Sequence, residues 1–300
     1  MSTAFFFPGQ GAQFVGMGKE LADTLPAAKG LFDRASAILG YDLLDICLNG
    51  PVEVLNKTDI SQPAIFVASL AAVESLKTTN PTASDDVAAV AGLSLGEYSA
   101  LCFAGAIDFD DAVRVVDARG KAMQAAAEAT AGGMVAVLGL EASEVEPLVA
   151  EVRGTGVLEI ANLLCPGNTV VSGAAAELDA FARLAESKQL RLAKLAVAGA
   201  FHTRLMKPAD DRLAEALAGV ELRAPRVPVW SNVDAKPHTD PAEIRELLVK
   251  QVVSPVLLEG TMRGMIASGI GSFTELGPGR VLAGLMKRVD RKANFANVGV

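Results

Sequence analysis

A serine lies at the centre of a Gly-x-Ser-x-Gly motif, which spans residues 92–96 of the chain. The stretch DDVAAVA before it is typical of a buried strand, and the residues from Glu97 onward favour the start of a helix. A serine in such a turn exposes its hydroxyl above the sheet edge, where the following helix can stabilise an oxyanion. The motif predicts a nucleophilic Ser94; the alternative interpretation is a tight turn whose glycines serve packing alone.

A serine nucleophile needs a general base at neutral pH, and the chain has two histidines, His202 and His238. His238 lies in the polar stretch NVDAKPHTD, which is typical of an exposed loop. His202 follows the small-residue run 198–200, where we expect the chain to re-enter its main α/β layer. We therefore predict His202 as the base, with a structural role as the alternative for either histidine.

The segment 109–129 is predicted to be a helix with one apolar face, and that face includes a cation. Its members are Val115, Val116, Arg119, Ala122 and Met123. Arg114 and Lys121 lie on the opposite face, where solvent is expected. Arg119 is then either a snorkelling side chain or a buried guanidinium that holds a ligand carboxylate. The second interpretation requires an acidic substrate, which Met123 would border, because an unpaired buried cation is unfavourable.

The elements around these residues alternate between strand and helix, which is the pattern of an α/β fold. We predict a strand at 3–7 before the turn Pro8-Gly9-Gln10-Gly11 and a buried helix at 64–73. The segments 227–233 and 271–279 each resemble a strand that leads into a turn. In between, strands at 134–140, 157–163, 168–174 and 190–197 alternate with helices at 142–152 and 175–188. Their order, β-α-β-β-α-β, predicts a ferredoxin-like subdomain inserted near residues 130–197.

Composition limits the classes of function. The chain has 300 residues, of which 51% are hydrophobic, so it can bury a large core, and its net charge of -8 disfavours general nucleic-acid binding. No apolar run reaches the roughly eighteen residues of a membrane span. The amino terminus has the pattern of neither a signal peptide nor a transit peptide. Cys47, Cys102 and Cys165 show no CxxC spacing, so we expect no disulfide, no zinc site and a reducing compartment.

Ordered motifs along nearly the whole chain resemble those of the malonyl-CoA:acyl carrier protein transacylases. They are FPGQGAQ (7–13), GLSLGEYSA (92–100), ARGKAMQ (118–124), ANLLCPGNTVVSG (161–173), AGAFHT (198–203), SNVDA (231–235), QVVSPV (251–256) and ELGPG (275–279). The resemblance implies an α/β-hydrolase-like large subdomain formed by 1–129 and 198–300, with the ferredoxin-like subdomain at 130–197 inserted into it.

The resemblance also implies roles in the acyl-transfer chemistry. Ser94 matches the residue that becomes the malonyl ester, and His202 matches its acid and base. Gln251 matches the position whose backbone carbonyl orients the histidine. Gln10 and Leu95 resemble the two backbone N–H donors of the oxyanion hole.

Further residues resemble the substrate contacts of the family. Arg119 matches the arginine that binds the free carboxylate of malonate, and Asn162 and Asn232 resemble polar positions that border the site. Phe201 occupies the position at which related polyketide acyltransferases of malonyl type carry phenylalanine, so it should crowd a branched methylmalonyl group. Leu93 departs from the family, because many members have histidine before the nucleophile.

The implied reaction is a ping-pong transfer of malonyl from malonyl-CoA to the thiol of acyl carrier protein, without a metal or cofactor. We expect a monomer that contacts neither nucleic acid nor membrane, located in a plastid stroma, since the motifs resemble plant-type members, or in a bacterial cytoplasm. A local basic cluster should dock the acidic carrier protein. The candidates are Lys188, Arg191 and Lys194 in the insert, and Lys287, Arg288, Arg291 and Lys292 near the carboxyl terminus.

Three alternatives stay open from the sequence. A serine esterase or thioesterase would share the Gly-x-Ser-x-Gly corner, and several carboxylates lie between Ser94 and His202 in chain order. A non-catalytic acyl-binding protein could retain the same fold. A malonyl transferase of polyketide synthesis would use the same chemistry.

Overall fold

A computed structural model describes residues 2–197 and 199–300, and ten strands within them form two separate sheets. The strands are β1 (Ser2–Phe7), β2 (Val87–Gly92), β3 (Gly132–Leu138), β4 (Leu158–Cys165), β5 (Asn168–Ala174), β6 (Arg191–Lys194), β7 (Val229–Trp230), β8 (Pro237–His238), β9 (Ile270–Leu276) and β10 (Asn294–Val298).

Helices fill the connections between these strands, and one short 3-10 turn covers Arg204–Met206. The helices are α1 (Lys19–Thr24), α2 (Pro26–Leu39), α3 (Leu43–Asn49), α4 (Val52–Leu55), α5 (Thr58–Thr79), α6 (Gly96–Phe103), α7 (Phe109–Ala129), α8 (Ala142–Arg153), α9 (Ala175–Ser187), α10 (Lys207–Ala218), α11 (Pro241–Gln251), α12 (Leu258–Ala267) and α13 (Val281–Val289). None of them, over the described ranges, has the length and apolar character that crossing a bilayer requires.

The larger sheet has the order β10-β9-β1-β2-β7-β8, and only its edge strand β8 runs antiparallel to its neighbour. Strand β1 is buried on both faces: Phe5 and Phe7 belong to one apolar core, and Phe6 belongs to the core on the other side. Because β1 and β2 are parallel neighbours, with Phe7 opposite Gly92, the turns that follow them meet at one sheet edge.

Helices α5 and α7 pack side by side on this sheet and bring two polar side chains together. The predicted helix at 64–73 lies inside α5, and its residues are all buried. A Cβ added at Gly120 of α7 would lie 3.0 Å from the Asp59 Cα of α5, so the two backbones approach closely. Gln62 of α5 and Arg119 of α7 consequently lie in contact inside the core.

The smaller sheet has the antiparallel order β4-β5-β3-β6, with α8 and α9 on one face. This order confirms the predicted ferredoxin-like arrangement and the α/β fold class. Strand β6 is shorter than the predicted 190–197, since it ends at Lys194 and Leu195 lines a cavity between the small sheet and the large subdomain. The division into 1–129 with 198–300 and 130–197 stays a prediction, and residues 1 and 198 lie outside the described residues.

The strand in the segment 227–233 covers Val229–Trp230 and leads into a turn as predicted, because the Ser231 N–H bonds back to the Lys236 carbonyl and begins a hairpin. The prediction for His238 is wrong. His238 is not in an exposed loop: it is 7% exposed on β8 and contacts the carboxylates of Asp234 and Glu243.

The corner after β2 depends on two glycines at close backbone approaches. A Cβ at Gly92 would overlap the Gly96 carbonyl group, and a Cβ at Gly96 would overlap the Phe7 carbonyl oxygen. The glycines of the motif therefore allow α6 to start directly above the β1–β2 edge, with Ser94 between them.

We predict that Gly92→Ala destabilises the protein by about 3 kcal/mol or more, because its methyl group has no space and the overlap is with backbone atoms. The matched control is Gly30→Ala in α2, where a Cβ meets nothing within 4 Å. The control should be stabilised by about 1 kcal/mol. Urea unfolding of both variants measures the difference, and equal midpoints would contradict this account of the corner.

Candidate active site

Ser94 has a backbone conformation that is unfavourable for a residue with a side chain, with φ at 51°. The Asn232 side chain stabilises it: Oδ1 accepts a hydrogen bond from the Ser94 N–H at 2.6 Å, and Nδ2 donates to the Gly92 carbonyl at 2.7 Å. Asn232 is fully buried behind the corner. Asn232 thus borders the site from behind Ser94, where it supports the turn, and its assignment as a substrate contact stays a prediction.

The Ser94 hydroxyl and the His202 ring, 108 positions apart in the chain, lie in hydrogen-bond contact, with 2.9 Å between Oγ and Nε2. The other ring nitrogen, Nδ1, lies 3.0 Å from the Gln251 backbone carbonyl. Since a carbonyl oxygen only accepts, Nδ1 carries the proton and Nε2 presents its lone pair to Ser94. This geometry suits a general base, and a backbone carbonyl takes the orienting position that a carboxylate has in a protease triad.

The Arg119 guanidinium is 1% exposed and reaches the same hydroxyl. It donates to Ser94 Oγ at 2.9 Å, to the side-chain oxygen of Gln251 at 2.9 Å and to the side-chain oxygen of Gln62 at 2.7 Å. Its carbon centre also lies 5.4 Å from the centre of the Tyr98 ring. All of these hydrogen-bond partners are uncharged, which leaves the cation available to an anionic ligand.

Burial and the Arg119 charge together set the protonation state of His202. Burial, and then the nearby guanidinium, lower the pKa of His202 to about 4, although its bond to the Gln251 carbonyl acts in the opposite direction. The imidazole is therefore neutral at physiological pH and can accept a proton. Burial also lowers the pKa of Arg119, but an arginine stays charged because its ordinary value is so high.

A cavity of about 230 Å³ opens above these groups, between the large subdomain and the small sheet. Its polar lining comes from Gln10, Gln62, Ser94, Arg119, Asn162 and His202. Met123 and Phe201 form part of its apolar wall, with Leu93, Leu95, Met134, Leu164, Val170, Leu195, Val197 and Val281. Phe201 is 4% exposed, so its ring is a fixed wall of the cavity.

The two residues predicted to supply oxyanion N–H groups both line this cavity. Gln10 follows β1, and its side-chain amide is directed to Thr58 Oγ1 at 3.5 Å. Leu95 directly precedes α6 and is the N-cap of that helix. Asn162 lies on β4 and lines the same cavity, and its buried Oδ1 has no hydrogen-bond partner within the described ranges.

Sequence reasoning missed three residues that touch the predicted ones. Gln62 holds one end of the guanidinium, Tyr98 lies against the guanidinium, and the buried Glu97 carboxylate accepts from the Gln251 side chain. Gln62 lies just before the helix predicted at 64–73, and Glu97 and Tyr98 lie in the helix start predicted after the serine corner. The sequence feature that could have identified them is a polar residue among apolar or small neighbours. That feature is weak evidence when the packing is not known.

The sequence matches the acyl transferase domain family over residues 4–298. This chain belongs to that family. The malonyl CoA-acyl carrier protein transacylase of Bacillus subtilis is 44% identical over 291 residues, which cover 96% of this acyl transferase and 90% of the relative. The mitochondrial malonyl-CoA-acyl carrier protein transacylase of Mus musculus is 42% identical over 313 residues, which cover 99% and 82%.

Solved structures show the same fold as this acyl transferase. The acyl-carrier-protein-S-malonyltransferase of Bartonella henselae has a TM-score of 0.95 at 38% identity, covering 100% of this chain and 96% of that one. A malonyl-transacylase solved in complex with its type II polyketide synthase acyl-carrier protein has a TM-score of 0.93 at 38% identity, covering 100% and 96%.

We predict that the pKa values of the two histidines of this acyl transferase are shifted in opposite directions from the ordinary histidine value of about 6.5. His202 should stay neutral until the pH approaches 4. For His238, burial lowers the pKa, but hydrogen bonds to Glu243 and Asp234 outweigh burial and raise it. Histidine ring NMR across a pH titration measures both, with His238→Asn to assign the signals.

In Arg119→Ala the His202 pKa should move upward, because the positive charge that disfavours its protonation is gone. His238 serves as the internal control and should not change. Coincident titration of both rings near pH 6.5, or a His202 pKa that falls in the variant, would contradict the proposed electrostatics.

Proposed function

We propose that this acyl transferase moves a malonyl group from malonyl-CoA to the phosphopantetheine thiol of acyl carrier protein, for fatty-acid biosynthesis. The observation that carries this proposal is the 2.9 Å contact between Arg119 and Ser94 Oγ. An acyl group bound to that oxygen begins beside a buried cation, so an acyl group that ends in a carboxylate gains an ion pair there. The names of the relatives, which are malonyl transacylases, support malonyl as that group.

The first half-reaction forms an ester on Ser94. As Ser94 Oγ attacks the thioester carbonyl carbon, its proton passes to His202 Nε2 and a tetrahedral intermediate forms. The C–S bond then breaks, and the proton on His202 goes to the departing CoA sulfur. The enzyme is left as the malonyl ester with a neutral His202.

The negative charge that develops on the carbonyl oxygen is stabilised by backbone N–H donors in the two neighbouring turns. The N–H groups of Gln10 and Leu95 are assigned this role because both residues line the cavity and Leu95 lies at the amino end of α6. Every proton transfer in this mechanism passes through His202, and no metal or cofactor is part of it.

The second half-reaction repeats the first with the carrier protein's thiol as nucleophile. His202 accepts the thiol proton, the sulfur attacks the ester carbonyl, and Ser94 leaves with that proton returned to its oxygen. A neutral histidine is required at the start of both halves, which agrees with its low pKa. One site therefore serves donor and acceptor in turn.

The walls of the cavity limit which acyl group fits. Met123 and Phe201 are 2% and 4% exposed, and both line the cavity beside Ser94. We assign them exclusion of branched groups such as methylmalonyl, and we assign Asn162, with its free amide oxygen, a polar contact to the substrate.

A polyketide carrier protein is the second candidate acceptor. The observation that favours it is the similarity to a malonyl-transacylase that was solved with its type II polyketide carrier protein. The chemistry is the same, so the acceptor alone distinguishes the two pathways. Transfer rates to a fatty-acid and a polyketide carrier protein, compared at equal concentration, test this point.

The setting of the reaction is part of the proposal. We assign carrier-protein docking to one of two exposed basic clusters, which are Lys188 with Arg191 and Lys194, or Lys287 and Arg288 with Arg291 and Lys292. The chain acts as a monomer in a plastid stroma or a bacterial cytoplasm. Its three cysteines, all described, are free thiols, which suits a reducing compartment.

We predict that the intact protein gains one malonyl group when it is incubated with malonyl-CoA, and that peptide mapping places it on Ser94. Ser94→Ala should gain none, since the hydroxyl in contact with His202 is removed. Mass spectrometry of both proteins, with and without an acceptor thiol, also separates a transferase from a thioesterase. A stable adduct on Ser94→Ala, or equal CoA release with water and with thiol, contradicts the proposal.

Arg119→Ala should lose about 2–5 kcal/mol of the preference for malonyl-CoA over acetyl-CoA, because the buried partner of the substrate carboxylate is gone. The matched control is Arg114→Ala on the exposed face of the same helix, where the side chain is 56% exposed and paired with Asp111. The control should keep the preference of the unaltered enzyme. Competition between the two thioesters measures the ratio, and an unchanged ratio in Arg119→Ala would show that the carboxylate binds elsewhere.

A further inference from the structure

One buried carboxylate beside the active site, that of Glu97, has no role in the proposed transfer. It lies three residues after Ser94, in the first turn of α6, and the residue is 3% exposed. One oxygen accepts from the Asn232 backbone N–H at 3.2 Å, and the other accepts from the side-chain Nε2 of Gln251. Burial of an anion is unfavourable unless a cation compensates it, so this charge needs an explanation.

The compensating cation is Arg119, and the Gln251 side chain connects the two. Gln251 Nε2 also donates to the Ser94 carbonyl at 3.0 Å, while its oxygen accepts from Arg119 at 2.9 Å. An arginine only donates and a carboxylate only accepts, so one amide joins the negative and positive ends with the correct polarity. Tyr98, which also lies against Arg119, supplies no charge, because burial raises the pKa of its phenol far above neutrality.

A substrate carboxylate on Arg119 changes this balance. Two anions would then share one buried guanidinium, and like charges in a buried site cannot both stay ionised without a large cost. The substrate anion is the one in direct contact with the cation. The Glu97 anion, one side chain further away, is the one to be neutralised.

This inference rests on the proposed function. We propose that Glu97 determines acyl specificity because the substrate carboxylate replaces the Glu97 carboxylate as the anion that balances Arg119. In the free enzyme its ionised form balances Arg119 through Gln251, and when the substrate carboxylate reaches Arg119, the Glu97 side chains that are still ionised are protonated from solvent. Its role is thus that of a positioning residue, which acts on the substrate through Gln251 and Arg119.

The site around Glu97 can hold either charge state. Burial raises the pKa of Glu97 to about 7, while hydrogen bonds from Gln251 and Asn232 and the charge of Arg119 act in the opposite direction. A further nearby anion raises it again, above the pH of the cell. The Ser231 hydroxyl lies close enough to Glu97 to lower its pKa, and it can accept a hydrogen bond from the carboxyl group once that group is protonated.

Four other titratable groups face Glu97 or its partners. Arg119 on α7 and Tyr98 on α6 keep their charge states near neutrality, and His202 has a pKa of about 4. His238 on β8 lines a small cavity with Glu97, and it is paired with Asp234 and Glu243. Titration of His238 changes the binding of every acyl thioester by the same factor. A comparison of malonyl-CoA with acetyl-CoA binding therefore isolates the effect of Glu97.

The direct test is calorimetry of ligand binding to Ser94→Ala, which cannot be acylated. Malonyl-CoA and acetyl-CoA are titrated at pH 7 in two buffers with different ionisation enthalpies. Binding of malonyl-CoA should be accompanied by uptake of about half a proton more than binding of acetyl-CoA. The difference is half a proton because Glu97, with a pKa near 7, is already half protonated in the free enzyme. The two ligands share the CoA phosphates, which cancel in the difference. Equal proton uptake by the two ligands overturns the proposal.

The second test is the pH dependence of affinity. Ionisation of Glu97 opposes the substrate carboxylate, so the dissociation constant of malonyl-CoA, relative to acetyl-CoA, should rise about tenfold from pH 6 to pH 8. Glu97→Gln in the same background should reduce this change to less than about twofold, because an amide cannot titrate. A merely structural residue would weaken binding at every pH and leave the slope unchanged.

The matched control is Glu275→Gln on β9, which removes an equally buried carboxylate that binds the amino end of α13. It should keep the full tenfold change. If Glu97→Gln does not fold, calorimetry on Ser94→Ala alone still decides. Absence of any malonyl preference in Ser94→Ala would refute the proposed function itself, whereas preference without proton uptake refutes only the role of Glu97.

Discussion

The active site depends on the burial of one positive charge, the Arg119 guanidinium, among uncharged hydrogen-bond acceptors. That charge lowers the pKa of the neighbouring His202, so the base is neutral at physiological pH. Gln62 and Gln251 hold it in place without neutralising it. A cation kept in this way favours an acyl group with its own carboxylate, and it connects selectivity to the same contacts that support the nucleophile.

The scaffold brings these groups together from distant parts of the chain. Parallel pairing of β1 and β2 places the turn with Gln10 beside the corner with Ser94, and the glycines at 92 and 96 allow the backbones to approach. Packing of α5 against α7 then places the guanidinium under the corner. The end of α11 contributes Gln251, whose backbone orients His202 and whose side chain contacts Arg119. The small sheet closes the cavity from the other side.

Much of this could be predicted from the sequence, because local patterns determine it. The helical spacing of apolar residues in 109–129 indicated α7 with its observed bounds and placed Arg119 on the apolar face. The order of strands and helices indicated the ferredoxin-like insert. Long-range packing determines the rest. Nothing near His238 indicated that Asp234 and Glu243 would enclose it. Asn232 lies behind Ser94 because β7 ends at Trp230 and the chain turns there. Glu97 resembled an ordinary first-turn residue of a helix.

A crystal structure of the enzyme after reaction with malonyl-CoA, without an acceptor thiol, tests the central claim most directly. The account predicts a malonyl ester on Ser94 Oγ whose carboxylate forms two hydrogen bonds with Arg119, and whose carbonyl oxygen faces the N–H groups of Gln10 and Leu95. An ester whose carboxylate points to solvent, with Arg119 still bound to Gln251 and Gln62 alone, would contradict it.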